Sequence, residues 1–213
     1  MTSPVLQTVA LACERDLRLL FENLELRLAS GDMVQISGPN GSGKTTLLRA
    51  VSGLTDPDEG HLTWAASSHA AHEPRSQRLV YVGHLNAMKD DLTVCESLQF
   101  IARLHGQDGS RPRVLEALRL LGMHHRRNAA VRTLSQGQRR RAALARLVLE
   151  SDAALWVLDE PFDALDIAGI DTVNGLLKAH LARGGSVLLT SHLPLDASAL
   201  PATELTLGPE AAA

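Results

Sequence analysis

The stretch GPNGSGKT, formed by Gly38, Pro39, Asn40, Gly41, Ser42, Gly43, Lys44 and Thr45, fits the pattern G-x-x-x-x-G-K-[ST]. It follows a short apolar strand and opens a helix, the context that pattern requires. Glycines there let backbone N–H groups curl around β- and γ-phosphates. Lys44 neutralises them, and the Thr45 hydroxyl is placed to ligate Mg²⁺. A second element is LWVLDE, Leu155 to Glu160, an apolar run ending in two carboxylates. In an α/β fold that end lies where ligands bind. Asp159 is expected to hold Mg²⁺, directly or through water, and Glu160 to orient and polarise an attacking water, because phosphoryl transfer needs positioning more than covalent help. His192, just past the apolar run SVLLT, falls at the same sheet edge, near the γ-phosphate.

TLSQGQRRRAALARL, residues 133 to 147, raises a different question. Thr133, Ser135, Gln136, Gly137 and Gln138 make a polar loop ahead of an arginine-rich helix. A hydroxyl, free N–H groups and the positive end of a helix are an anion site. The chain therefore carries two anion-binding helix starts but one lysine loop. For the arginines 139 to 141 two readings stand, a solvated helix face or a nucleic-acid patch, and the acidic overall balance favours the first.

The elements that must hold these groups follow from periodicity. Residues 5 to 13 and 17 to 28 alternate between apolar and polar, as half-exposed strands do. MVQIS (33–37) feeds the lysine loop, and TTLLRAVSGL (45–54) reads as a helix. HLTW (61–64) and LVYVG (79–83) are strands, with a polar loop at 65–78 between them. From about 92 to 150 the pattern turns helical, with Val114, Leu115, Leu118 and Leu121 on one face. ALWVLD (154–159) and SVLLT (186–190) are continuous apolar runs, as in central parallel strands covered on both faces. Strands alternating with helices give an α/β fold with a helical insertion. Asp152, before one of these strands, reads as a solvated cap, and the adjacent His124 and His125 as surface residues.

The bulk numbers limit the function classes. With 213 residues, 45% of them hydrophobic, 21% charged and 3% aromatic, the chain can build an ordinary core but not a stacking surface for single strands. A net charge of −3 speaks against a polyanion binder. Cys13 and Cys95 have neither metal nor redox spacing and read as reduced thiols. With no basic-then-apolar start and no apolar run near 20 residues, the chain is expected not to cross a membrane by itself.

The lysine loop, the Asp-Glu strand end and the terminal histidine, with LSQGQ (Leu134, Ser135, Gln136, Gly137, Gln138) between them in order, resemble the ATP-binding cassette family over nearly the whole chain. LSQGQ looks like its signature sequence, with Gln136 where glycine is commoner, and DALD (163–166), ending in Asp166, looks like its D-loop. The resemblance implies a P-loop NTPase of the ABC type. Its core sheet is mostly parallel, with an N-terminal antiparallel β part, in one domain spanning 1–213 and a helical subdomain at about 92–150. It implies ATP and Mg²⁺ as cofactors, and a second copy docked head to tail, so that Ser135 and Gly137 meet the partner's γ-phosphate. It further implies integral membrane subunits as partners, and no nucleic acid. At the Q-loop position, where many cassettes have glutamine, stands His84. Where many offer an aromatic ring to adenine stands Arg15, whose guanidinium plane can stack on a base.

CERD (13–16) followed by LF (20–21), GH (83–84), LDEPF (158–162) and SHLPL (191–195) are similar to the branch of this family serving bacterial cytochrome c biogenesis. That resemblance implies a peripheral ATPase at the cytoplasmic face of the inner membrane, acting in haem export or delivery, or in release of the haem chaperone. The alternatives are an exporter of another small molecule or lipid, and a soluble cassette protein acting on nucleic acid.

Overall fold

The computed structural model describes residues 4–64, 79–150, 154–192 and 200–208. The expected loop at 65–78, the cap at Asp152 and the end of SHLPL lie outside the described residues. β1 (Leu6–Arg15), β2 (Arg18–Leu28), β3 (Met33–Ser37), α1 (Lys44–Val51), β4 (Glu59–Trp64) and β5 (Leu79–Val82) form the first half. α2 (Val94–Leu104), α3 (Arg111–Leu120), α4 (Gln136–Leu144) and α5 (Arg146–Leu149) follow as a helical stretch. β6 (Leu155–Asp159), α6 (Ile167–Ala182), β7 (Ser186–Thr190) and β8 (Thr203–Thr206) complete the described residues.

Two sheets result: an antiparallel one, β2-β1-β4, and one ordered β5-β6-β7-β3-β8 in which every pair is parallel. The alternation in β1 and β2 and the unbroken apolar runs in β6 and β7 have one cause, the two-residue period of a strand. Leu155 and Val157 face α1 and the antiparallel sheet, in a cluster with Ile36, Leu47 and Leu188. Trp156 and Leu158 point the other way and pack with Val80, Val187, Leu189 and the apolar faces of α2, α3 and α6. Strands covered on both faces must be apolar at every position.

The helical reading of 92–150 agrees with α2 to α5, though on α3 Ala117 is buried beside Val114 and Leu118 while Leu115 is only half-buried. Cys13 and Cys95 are free, buried thiols, both raised above the ordinary range by burial. His124 and His125 lie on a short 3-10 turn, the first half-buried and the second exposed.

One buried base adds a pH term to stability. The fully buried His180 ring stacks on Trp156 at 3.9 Å and 7°. Its Nε2 lies 3.2 Å from the Ser186 carbonyl, to which it donates, and its Nδ1 accepts from Arg183 at 2.9 Å, which is the neutral tautomer. A Cβ on Gly185 would strike this ring at 2.2 Å. Burial, then the Arg183 charge, pull His180 down from 6.5 to about 4. The unfolded chain takes up this proton near 6.5 while the folded one refuses it until about 4, so the contribution is complete above 6.5 and is lost as pH falls. Urea unfolding of wild type and His180→Leu at pH 7.5 and 5.0 should show wild type losing about 2 kcal/mol more across that interval. Equal losses would show that His180 is not the titrating group.

Candidate functional site

The phosphate-type loop begins where β3 ends and is shaped by close packing. Gly38 has φ +137°, and a Cβ there would lie 2.1 Å from the Leu207 carbonyl oxygen. Gly43, at φ +97°, is the N-cap of α1, and a Cβ would press on Leu20 and Phe21 at 3.0 Å. Only glycine fits such positions without strain. Lys44 Nζ donates to the carbonyls of Gly38 at 2.7 Å and Pro39 at 3.0 Å, so the ammonium is folded back over the loop. Ser42 Oγ is buried, with no hydrogen-bond partner among the described residues.

Across the sheet edge, Asp159 ends β6 and is 3% exposed. Its Oδ2 accepts from Thr45 Oγ1 at 2.9 Å and its Oδ1 from Thr190 Oγ1 at 2.9 Å. Glu160 follows in the left-handed region, φ +50°, and its N–H donates to Thr190 Oγ1 at 2.9 Å. The His192 N–H donates to Glu160 Oε2 at 3.0 Å, and the His192 ring Nε2 stands 3.4 Å from Oε1. One hydroxyl, Thr190, thus fixes both carboxylate residues. Thr190 has no local signal in the sequence; the β6–β7 register sets it opposite Asp159.

A cleft of about 640 Å³ gathers Lys44, Thr45, Asp159, Glu160 and His192, with Arg15 and His84 also on its wall. Arg15 and His84 are exposed: Arg15 Nε is 3.9 Å from Asp16, and His84 Nδ1 is 3.9 Å from Asp163. The pairing of a hydroxyl and a carboxylate oxygen, Thr45 with Asp159, is a hard-oxygen donor set. It suits Mg²⁺, which is usually held by one or two carboxylates plus substrate phosphates.

None of Leu134 to Gln138 lines that cleft. They sit at the start of α4, where Ser135 Oγ accepts from the Gln138 N–H at 3.3 Å and Gln138 Oε1 accepts from the Ser135 N–H at 3.2 Å. This capping box fixes the helix start. A Cβ on Gly137 would lie 2.4 Å from the Ala164 carbonyl oxygen, so the signature-like loop packs directly on DALD. Asp166 caps α6 by accepting from the Gly169 N–H at 2.8 Å and is bonded to Arg141. The Gly169 hydrogen bond first, and then Arg141, hold its carboxyl below the usual range.

The arginine run corrects both readings open to it. Arg139 pairs with Asp90 at 2.9 Å, Arg141 bonds Asp166, and Arg140 is 3% exposed. This is neither a solvated face nor a free basic patch. Arg140 shares the helix face of Ala143 and Leu144, three and four residues on, and that apolar pair was the available sign of burial.

The family profile described as ABC transporter matches residues 21–163. The cytochrome c biogenesis ATP-binding export protein CcmA of Pseudomonas fluorescens (strain Pf0-1) is 50% identical over 211 residues, 98% of this chain and 98% of its own length. The protein of the same name from Vibrio vulnificus (strain YJ016) is 41% identical over 205 residues, covering 96% of this chain and all of its own. Among solved structures, an ATP-binding subunit of an ABC transporter superposes with TM-score 0.83 at 22% identity, over 95% of this chain and 85% of that one. A dimeric ATP-binding cassette bound to ADP and Pi superposes with TM-score 0.80 at 23% identity, over 95% and 94%. These two show the fold. The chain belongs to the ABC transporter family as an ATP-binding, ATP-hydrolysing subunit, and within it to the cytochrome c biogenesis ATP-binding export proteins.

Proposed function

We propose that two copies of this chain, forming one ATPase domain each, dock on integral membrane subunits at the cytoplasmic face of a bacterial inner membrane. There they hydrolyse ATP to drive cytochrome c maturation, through haem delivery or release of the haem chaperone. The observation that carries the catalytic part is the continuous chain Thr45–Asp159–Thr190–Glu160–His192 opposite Lys44.

ATP phosphates occupy the loop from Gly38 to Thr45, and Lys44 Nζ exchanges the carbonyls of Gly38 and Pro39 for phosphate oxygens. That exchange costs little, because the ammonium trades one set of acceptors for a charged one. Thr45 and Asp159 would hold Mg²⁺, which supplies charge neutralisation to the phosphates. Glu160 orients and polarises the attacking water, while His192 fixes the Glu160 carboxylate through its N–H and reaches the γ-phosphate with its ring. Ser135 and Gly137 at the start of α4 lie away from this cleft and serve the nucleotide of a head-to-tail partner, with Leu134, Gln136 and Gln138 shaping the loop. Asp166 ties the D-loop to that same helix. Arg15 offers its plane to adenine.

Coupling to the membrane subunit runs through His84. It lines the nucleotide cleft and also a second groove of about 620 Å³, shared with Tyr81, Leu54 and Leu85, the last two exposed leucines. No helix among the described residues is long and apolar enough to cross a membrane, so the membrane spans are assigned to the partner.

In cells whose sole copy carries Glu160→Gln, a haem stain of membranes should lose c-type cytochromes while b-type haem spectra persist. Normal c-type cytochromes would reject the maturation role and leave an ATPase serving another small-molecule or lipid exporter.

A further inference from the structure

Arg140 is the most heavily engaged buried charge beside the site, and nothing in the mechanism above uses it. It projects from α4, five residues past the Ser135 cap, with 3% of its surface exposed. Its Nη1 donates to the Gly83 carbonyl at 2.9 Å and to Asn86 Oδ1 at 2.8 Å. Its Nη2 donates to the carbonyls of Asp159 and of Glu160, the latter at 2.8 Å. These acceptors flank His84 on one side and belong to the carboxylate residues on the other.

Glu160 needs such support. A non-glycine residue at φ +50° is strained, and strain of this kind persists only where surroundings over-determine it. The Glu160 N–H is held by Thr190, and its carbonyl by Arg140. The backbone is therefore pinned on both sides of the Cα that aims the carboxylate. Asn86 and Ala87, at φ +60° and +51°, are strained in the same way, and Arg140 grips Asn86 as well.

Resting on the reading of Glu160 as the water-orienting group, we propose that Arg140 is a positioning residue for hydrolysis. It locks the backbone of Glu160 and the His84 loop onto the helix that carries Ser135 and Gly137. A planar guanidinium can bridge acceptors on two loops at once, whereas a lysine ammonium is a compact point charge without that fork. Arg140 does not line the nucleotide cleft, so its loss should spare ATP binding and strike turnover.

The test is the ATPase kcat of Arg140→Lys and Arg140→Gln, beside ATP affinity by calorimetry and a melting curve. A fall in kcat of roughly 10- to 100-fold is expected, the scale of a misplacement of about 1 Å, with ATP affinity changed less than about threefold. Placed on Glu160→Gln, either substitution should lower the residual rate by less than about threefold, because groups acting through one another are not additive. A folded variant with wild-type kcat, an equal loss of ATP affinity, or multiplying effects would overturn the inference. So would failure of both variants to fold, which would assign Arg140 to the fold alone. Glu160→Gln by itself separates the two ideas. If it turns over normally, the Glu160 reading fails; if it is inactive while Arg140 variants are active, only the Arg140 role fails.

Discussion

Glu160→Gln protein should bind ATP with Mg²⁺, close into a stable dimer, and hydrolyse at a rate lowered by about 10²-fold or more. Glutamine keeps the length of the side chain and an amide oxygen for the His192 N–H, now at 3.0 Å from Oε2. What disappears is the negative charge proposed to polarise the attacking water. Backbone placement is unaffected, because the N–H bond to Thr190 and the carbonyl bond from Arg140 do not involve the side chain. Loss of rate with retained binding is the pattern of a group whose contribution appears only in the transition state. Steady-state phosphate release gives the rate, and light scattering with and without ATP gives the dimer. A wild-type rate would remove Glu160 from the reaction. A monomer with bound ATP would remove the signature loop from the partner's site.

The parts legible in the sequence are those with local signals. GPNGSGKT marks itself, and β6 and β7 announce a two-sided sheet through unbroken apolar runs. The α6 helix has no such signal, because Gly169 and Gly175 interrupt IAGIDTVNGLLKAHLA and its apolar residues surround the helix rather than keep to one stripe. The edge strand β8 is four largely exposed residues, TELT, whose pairing with β3 is set by topology alone. The long-range contacts of Arg140, Arg146 and Glu150 have no local signal either. Arg146 is 5% exposed and Glu150 1%; they pair at 2.9 Å, and His105 closes on Glu150 at 2.7 Å. An apolar pair three and four residues on hints that Arg140 is buried, but it does not show which distant loops supply the acceptors. Burying one charge of this set costs a great deal without the other. The four-residue spacing of Arg146 and Glu150 is visible in the sequence, but Tyr81 and His105 meet them only once the elements pack.

The second large effect concerns Lys44 and tests the partnership directly. Lys44→Ala removes the ammonium from the phosphate loop, and its ATP affinity should fall by roughly 100-fold, about 2.7 kcal/mol. The fold should be spared, since among the described residues Nζ bonds the carbonyls of Gly38 and Pro39, and water can replace the ammonium at the mouth of the cleft. A second protein, Ser135→Ala with Gly137→Val, should also be inactive for a different reason. It keeps Lys44 but loses the hydroxyl and packs a branched side chain against Ala164, where even a Cβ would lie 2.4 Å from the carbonyl oxygen. Mixed, the two defects complement if each site takes its lysine loop from one chain and its signature loop from the other. A heterodimer then holds one site with both parts intact and one with neither. About half of randomly paired dimers are mixed, so independent sites restore about a quarter of wild-type rate. If the signature loop served its own chain's nucleotide, every site in the mixture would lack one part, and mixing would restore nothing. Activity on mixing, measured against each protein alone, therefore separates a shared site from two private ones.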